Sequence, residues 1–270
     1  MKPDPLPVVL VFAGSDPTGG AGISADIEAI VSMGCHPAPV LTAVTAQDTI
    51  GIKQYTPVET ELVIAQARAI LEDMPVAAAK TGMLGDRQNL MAVASILDDY
   101  RDLPLIVDPV QTSARGDVLA DELLDDAMRS LLVPRATLIT PNSLEVGRLA
   151  PDADTRDACA QELMSLGCQY VLITGTHDNT PRVINRLYGN MRLLETFTCE
   201  RLTNNYHGSG CTVASACSAA LAHGLDPVPA VAKALEYTWR SLKHGYRLGM
   251  GQYLPDRLYW ARARTDPDVE

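Results

Sequence analysis

Two glycine-rich runs and a few polar residues at apparent strand ends hold the chemistry this sequence offers. His207-Gly208-Ser209-Gly210-Cys211-Thr212 leads into the Ala-rich stretch Val213–Ala220. Small residues let the backbone turn so that several N–H groups converge at a helix N-terminus. That is a seat for an anion, or for charge developing on a transferred phosphate. Cys211 falls in the first turn, where the helix dipole favours the thiolate and lowers the thiol pKa. Such a thiolate could accept a proton from a substrate hydroxyl; the alternative is a close-packed helix start with an inert thiol. Gly20-Ala-Gly22-Ile-Ser-Ala25 fits the G-x-G-x-x-A dinucleotide pattern. Asp16 beside it would repel a pyrophosphate. A loop closing under a small substrate, or a tight turn without a ligand, competes with that reading.

Asp108 at one strand end, and Asn142 and Glu145 beyond the next, are oxygen ligands of the kind Mg²⁺ combines with phosphates and water. Asn142-x-x-Glu145 equally describes a helix N-cap with its acidic partner. Lys80, ending a third strand, could meet a phosphate or snorkel into solvent. Gln47 offers an amide suited to a heterocycle edge, or is an exposed strand end. No lysine follows a G-x-x-x-x-G, and neither G-x-S-x-G nor H-E-x-x-H occurs, so phosphate chemistry here must use a scaffold other than a P-loop. The six cysteines (Cys35, Cys159, Cys168, Cys199, Cys211 and Cys217) lack zinc-site spacing and read as reduced thiols.

Elements that could position these residues alternate along the chain. Val8–Ala13, Pro39–Ala46, Ala77–Thr81, Leu105–Asp108, Thr137–Thr140 and Tyr170–Thr174 read as buried strands. Helical patterns fall near Gly22–Met33, Glu59–Asp73, Asp86–Asp99, Ala120–Leu132, Thr155–Leu166, Cys211–His223 and Pro227–Leu248. This alternation predicts an α/β fold with a mainly parallel sheet, helices on both faces, and ligands at the strand C-termini. Arg182–Tyr188 and Arg192–Phe197, joined by Gly189–Asn190, predict an antiparallel edge hairpin. The tail from Gly249 carries no readable role. One domain over residues 1–270 is expected, since no linker or repeat interrupts the pattern.

Composition narrows the partners. Lys plus Arg number 22 against 33 Asp plus Glu, a net charge of −11, which argues against a nucleic-acid or anionic-membrane surface. The apolar run Val8–Ala13 is too short to span a membrane and its flanks do not suit a signal peptide, so a cytoplasmic protein is expected.

Taken together, the blocks resemble the hydroxymethylpyrimidine/phosphomethylpyrimidine kinases of the ribokinase-like superfamily, which serve thiamine biosynthesis. The resemblance rests on Ala13–Asp26, Thr42–Thr49, Lys80-Thr-Gly-Met-Leu84, Val107-Asp-Pro-Val110, Thr140–Glu145 and Asn205–Thr212, in that order. It implies a ribokinase-like three-layer α/β/α sandwich and Mg²⁺-dependent transfer of the ATP γ-phosphate to a pyrimidine hydroxymethyl group or its phosphate. It also sets the dinucleotide reading aside. On this resemblance Gly14, Asp16, Gly20, Gln47, Lys80 and Met83 would bind the pyrimidine. Gly208, Ser209 and Gly210 would form the anion hole, with Cys211 as the base. Asn142, Glu145, Thr174 and Arg115 would serve the nucleotide, and Asp108 and Glu145 the metal. Two family lysines are replaced, one by Ala114 with Arg115 adjacent, the other by Thr174. A pyridoxal-type kinase and a catalytically weak pyrimidine sensor are the alternatives. A homodimer is the oligomer such relatives suggest.

Overall fold

The computed structural model describes residues 6–110 and 122–262. Nine strands form one sheet in the order β3-β2-β1-β4-β5-β6-β7-β8-β9. In chain order they are β1 (Val8–Gly14), β2 (His36–Gln47), β3 (Ile52–Pro57), β4 (Val76–Thr81), β5 (Leu105–Val107), β6 (Leu138–Ile139), β7 (Tyr170–Ile173), β8 (Arg182–Gly189) and β9 (Arg192–Glu200). From β2 to β7 neighbouring strands run parallel, while β3, β8 and β9 pair antiparallel at the two ends.

Successive residues of β1 alternate between two cores, as the period of two in a strand demands. Val8, Leu10 and Phe12 pack under α2 (Thr60–Asp73), α3 (Arg87–Asp98), α5 (Glu145–Leu149) and α6 (Arg156–Ser165). Val9, Val11 and Ala13 pack under α1 (Gly22–Ser32), α7 (Ser209–Ala222) and α8 (Pro227–Lys243). A strand buried on both faces must be apolar throughout, which is why Val8–Ala13 reads as an unbroken run. The chain leaves β1 toward β2 on one side and returns to β4 on the other. That reversal of strand order is the switch point at which open α/β sheets bind ligands.

Several expectations are corrected. The strand β3 carries mostly exposed polar residues along a sheet edge, so no apolar run announced it. The helix expected to Leu248 ends at Lys243, and the helix that the capping reading of Asn142-x-x-Glu145 allowed is the five residues of α5. The stretch expected as one helix to Leu132 continues from α4 (Glu122–Ala127) as a π-turn over Met128–Leu132; its start lies outside the described residues. The hairpin turn is Asn190–Met191, both at positive φ, and Gly189 belongs to β8. No helix among the described residues is long and apolar enough to cross a membrane.

Candidate active site

The two glycine loops meet. Gly208 takes φ +78°, and a Cβ there would lie 1.9 Å from the Gly20 carbonyl oxygen. Gly22 takes φ +58°, and a Cβ there would fall 2.4 Å from the Gly14 oxygen. Only glycine meets both demands, a left-handed backbone and a backbone neighbour at contact distance. Loop 1, after β1, and loop 2, before α7, therefore form one continuous wall at the switch point.

Asp16 ties the wall together. Its Oδ1 accepts from the Thr18 N–H and hydroxyl, both at 2.8 Å, and its Oδ2 from the Ala21 N–H at 2.7 Å and His207 Nε2 at 2.9 Å. Burial raises this carboxyl's pKa, but the bonds from His207 and Thr18 outweigh it, so the group sits below its usual value and is ionised. His207 must then carry its hydrogen on Nε2, which leaves the buried Nδ1 without a partner. Both oxygens of Asp16 accept hydrogen bonds within the loops, so this carboxylate, expected at the substrate, also sets the shape of the wall.

Gln47 is oriented by a short chain. The Thr45 hydroxyl donates to the Ser15 carbonyl at 2.8 Å and accepts from Gln47 Nε2 at 2.9 Å. The amide oxygen Oε1 is buried and unpaired, an acceptor waiting for a donor on a ligand. Met83 has its carbonyl held by the Thr42 hydroxyl at 2.6 Å, and its Sδ would lie 3.4 Å from a Cβ on Gly14. Gly14, Gln47 and Met83 are thus brought together at the end of β1. Beside them a cleft of about 390 Å³ is lined by Pro17, Thr18, Gln47, Thr49, Leu248 and Met250, among others.

On the other side of the wall is a buried ionic cluster. Lys80 is fully buried; its Nζ lies 3.0 Å and 3.1 Å from the two Asp26 oxygens and 3.6 Å from Asp108 Oδ2. The Ser215 hydroxyl donates to Asp26 at 2.6 Å. A lysine so enclosed does not snorkel into solvent; its ammonium is held by Asp26 and Asp108 behind the wall. Asp26 escaped sequence reading, although a carboxylate on the face of α1 that also carries Ala25, Ala29 and Ile30 was a signal.

Cys211 falls in the first turn of α7, where the Gly22 N–H and the Asp108 carboxylate both act on its thiol. Burial, then the Asp108 charge, push its thiol up to about 12 against the pull of Lys80. The expected thiolate is therefore corrected: the resting group is a neutral thiol, since a helix-end half charge does not offset desolvation beside a carboxylate. Gly210 adjoins Asp108, whose Oδ1 lies 3.9 Å from a Cβ built there. Burial raises the Asp108 carboxyl, with Lys80 opposing.

Asn142 and Glu145 form the reciprocal cap that their spacing allowed. Glu145 accepts the Asn142 N–H at 2.8 Å, and Asn142 Oδ1 accepts the N–H groups of Leu144 and Glu145 at 2.8 Å and 3.0 Å. Burial and the nearby Asp108 push the Glu145 carboxyl up to about 8. Two mutually repelling carboxylates, one with a buried oxygen, Asp108 Oδ2, that has the Lys80 ammonium at 3.6 Å but no hydrogen-bond partner, suit a divalent cation. No group of three or more metal-binding side chains occurs among the described residues, so phosphate and water would complete such a shell. Thr174 bridges Asn142 through the backbone, on the same edge. Arg115 and Ala114 lie outside the described residues. Arg201, unnoticed in the sequence, donates to the carbonyls of Gly175, Thr176, Asp178 and Thr180 and shapes the loop after Thr174.

Known proteins resemble this chain in sequence and in fold. The hydroxymethylpyrimidine/phosphomethylpyrimidine kinase of Mycobacterium tuberculosis is 39% identical over 255 residues, covering 91% of each chain. The crystal structure of an ADP complex of Bacillus subtilis pyridoxal kinase superposes with a TM-score of 0.87 at 29% identity, over 95% of this chain and 99% of that one. A phosphomethylpyrimidine kinase from Clostridium difficile gives 0.76 at 28% identity, over 87% and 98%. These likenesses agree with the ribokinase-like three-layer architecture, and the family model for phosphomethylpyrimidine kinase matches residues 16–256. The chain belongs to the phosphomethylpyrimidine kinase family.

Proposed function

We propose that this protein transfers the γ-phosphate of ATP to 4-amino-5-hydroxymethyl-2-methylpyrimidine, to its monophosphate, or to both, with Mg²⁺. The observation that carries the reading is the meeting of the two glycine loops, where Gly208 backs onto the Gly20 carbonyl and sets the N-terminus of α7, with Cys211 in its first turn, against the pyrimidine-side loop and next to Asp108. Gln47 Oε1 accepts the ring amino group, and Met83 packs on the ring against Gly14. The N–H groups of Ser209, Gly210 and Cys211 receive the transferring phosphoryl oxygens, where a loose transition state concentrates charge. The hydroxyl proton passes to Cys211 sulfur as the thiol proton passes to Asp108, whose affinity for it burial has raised. Glu145 would hold Mg²⁺, with Asp108 reaching it through a bound water so that its carboxylate stays free for the thiol proton, and the ion would neutralise phosphate charge.

Pyridoxal as the acceptor is the second reading, favoured by the higher structural likeness to the pyridoxal kinase than to the C. difficile enzyme. An ADP-release assay with Mg²⁺-ATP and hydroxymethylpyrimidine, its monophosphate or pyridoxal separates the readings. ADP release that depends on a pyrimidine is expected. Release with pyridoxal alone transfers the assignment to the second reading, and silence with all three refutes both.

A further inference from the structure

Arg257 stands on the tail, far in sequence from either glycine loop, yet its side chain is only 1% exposed. Its one ionic partner among the described residues is Glu28 Oε2 at 3.2 Å, itself 42% exposed. The remaining donors point into the wall. Nη1 donates to the Gly19 carbonyl at 3.3 Å, Nη2 to the Gly20 carbonyl, and Nε to Thr212 Oγ1 at 2.9 Å. The Thr212 hydroxyl in turn donates to the Gly208 carbonyl at 2.8 Å, which also accepts the Thr212 N–H at 3.0 Å.

The peptide plane gives these bonds their consequence. In a trans peptide the C=O and the following N–H point in opposite directions, so fixing one aims the other. Holding the Gly208 carbonyl aims the Ser209 N–H away from the helix body, toward the anion seat. Holding the Gly19 and Gly20 carbonyls aims the next two N–H groups at Thr18 Oγ1, 3.1 Å away, and at Asp16 Oδ2. Those bonds shape loop 1 and, through Asp16, hold His207. A planar fork can reach three acceptors in fixed directions; a lysine ammonium cannot reproduce that geometry.

We propose that Arg257, acting through Thr212, is a positioning residue. It fixes loop 1 and loop 2 in a single register, so that the anion seat is assembled beside the ring seat before substrate arrives. It touches neither substrate. This inference rests on the kinase reading above, because the effect it sets is phosphoryl transfer.

The test uses the full chain and four variants, Thr212→Val, Thr212→Ser, Arg257→Lys and the double variant Thr212→Val/Arg257→Lys. Each is assayed for kcat and titrated calorimetrically with the pyrimidine acceptor. Thr212→Val keeps the shape and removes the relay hydroxyl, so kcat should fall about 10- to 100-fold, the scale of a disturbed oxyanion donor. Acceptor affinity and stoichiometry should hold within about threefold, and Thr212→Ser should recover kcat to within about threefold of wild type. The double variant should lose less than the product of the two single losses, because both act on one relay. An unimpaired Thr212→Val overturns the proposal. So does a loss of binding stoichiometry that parallels the loss of kcat, which would make the contact structural only. A wild-type chain without turnover refutes the kinase reading and the relay with it, whereas an active wild type with an unimpaired Thr212→Val refutes the relay alone.

Discussion

At the end of β5 the Cys211 thiol lies beside the buried Asp108 and Asp26 carboxylates and the buried Lys80 ammonium that pairs with both. Desolvation is the largest single effect on Lys80 and lowers it, but its acidic neighbours, Asp26 foremost and Asp108 with it, together hold the ammonium above its ordinary value. With the thiol pushed up to about 12, the role proposed for the cysteine is a relay between hydroxyl and carboxylate and not a standing thiolate. Cys211→Ala should therefore cut kcat strongly, by about 100-fold on the scale of general-base catalysis, while acceptor affinity barely changes. Unchanged turnover in that variant removes the cysteine from the reaction. Glu145 makes the complementary pH prediction. Its folded-state value of about 8 lies above the usual carboxylate range, so the folded chain prefers the protonated form. The preference stabilises the fold below the unfolded value of about 4.3 and is lost as pH rises through about 8. Glu145→Gln keeps the cap acceptor but cannot ionise. Without nucleotide or metal, its melting temperature should exceed that of wild type at pH 8 and match it near pH 4.5. The same variant should lose activity at every pH where wild type turns over; a variant no more stable at pH 8 would show that Glu145 is not strained by Asp108.

The elements explain which of these features could be read in advance. Parallel strands such as β1 are buried on both faces, and their unbroken apolar runs left a plain trace in the sequence. The polar groups at their C-terminal ends were legible for the same reason: Gln47, Asp108 and Asn142 each follow such a run. An edge strand has no need to be apolar, so β3 left no trace, and five-residue α5 is too short to show a period. The hairpin between β8 and β9 was legible in position but not in turn geometry. Asn190 at φ 51° and Met191 at φ 61° place both central residues in the left-handed region, the type I′ arrangement in which Asn-Gly is the favoured pair. A methionine there carries a steric cost of about 1–2 kcal/mol that glycine avoids. Met191→Gly should stabilise the chain by about 1 kcal/mol in urea unfolding, less than the full steric difference because glycine also loosens the unfolded state. Its kcat should not change, since the turn stands on the sheet edge away from the loops. Destabilisation would mean that the methionine side chain, 48% exposed, contributes packing that its exposure hides.

Across the whole molecule, the site depends on chain ends that the sequence separates widely. After α8 the backbone crosses the strand edge again: Gly251 donates its N–H to Thr49 Oγ1 at 3.0 Å, and Gln252 donates to the Thr49 carbonyl at 2.9 Å. Tyr253 then pairs with Asn205 and His207 beside loop 2, and Arg257 reaches both loops. Long-range closure of this kind leaves no periodic or motif signal, which is why the tail was unreadable while the loops it fastens were not. The crossing also leaves two large apolar side chains in water beside the Gln47 cleft, Leu248 at 76% and Met250 at 82% exposure. Residues so exposed contribute almost nothing to the stability of the free protein, because little of their surface leaves water on folding. Their burial becomes favourable only when a ligand with an apolar face fills the cleft, at roughly 25 cal/mol for each Å² removed from water. Leu248→Ser combined with Met250→Ser should therefore leave the melting temperature of the free chain and the KM for ATP unchanged. The KM for the heterocycle should rise about 10-fold, the equivalent of 1.4 kcal/mol of lost apolar contact. An equal rise in both KM values would place the two side chains over the nucleotide instead. No change in either would mean that the heterocycle lies wholly inside loop 1, with the tail acting only as the fastening that Arg257 provides.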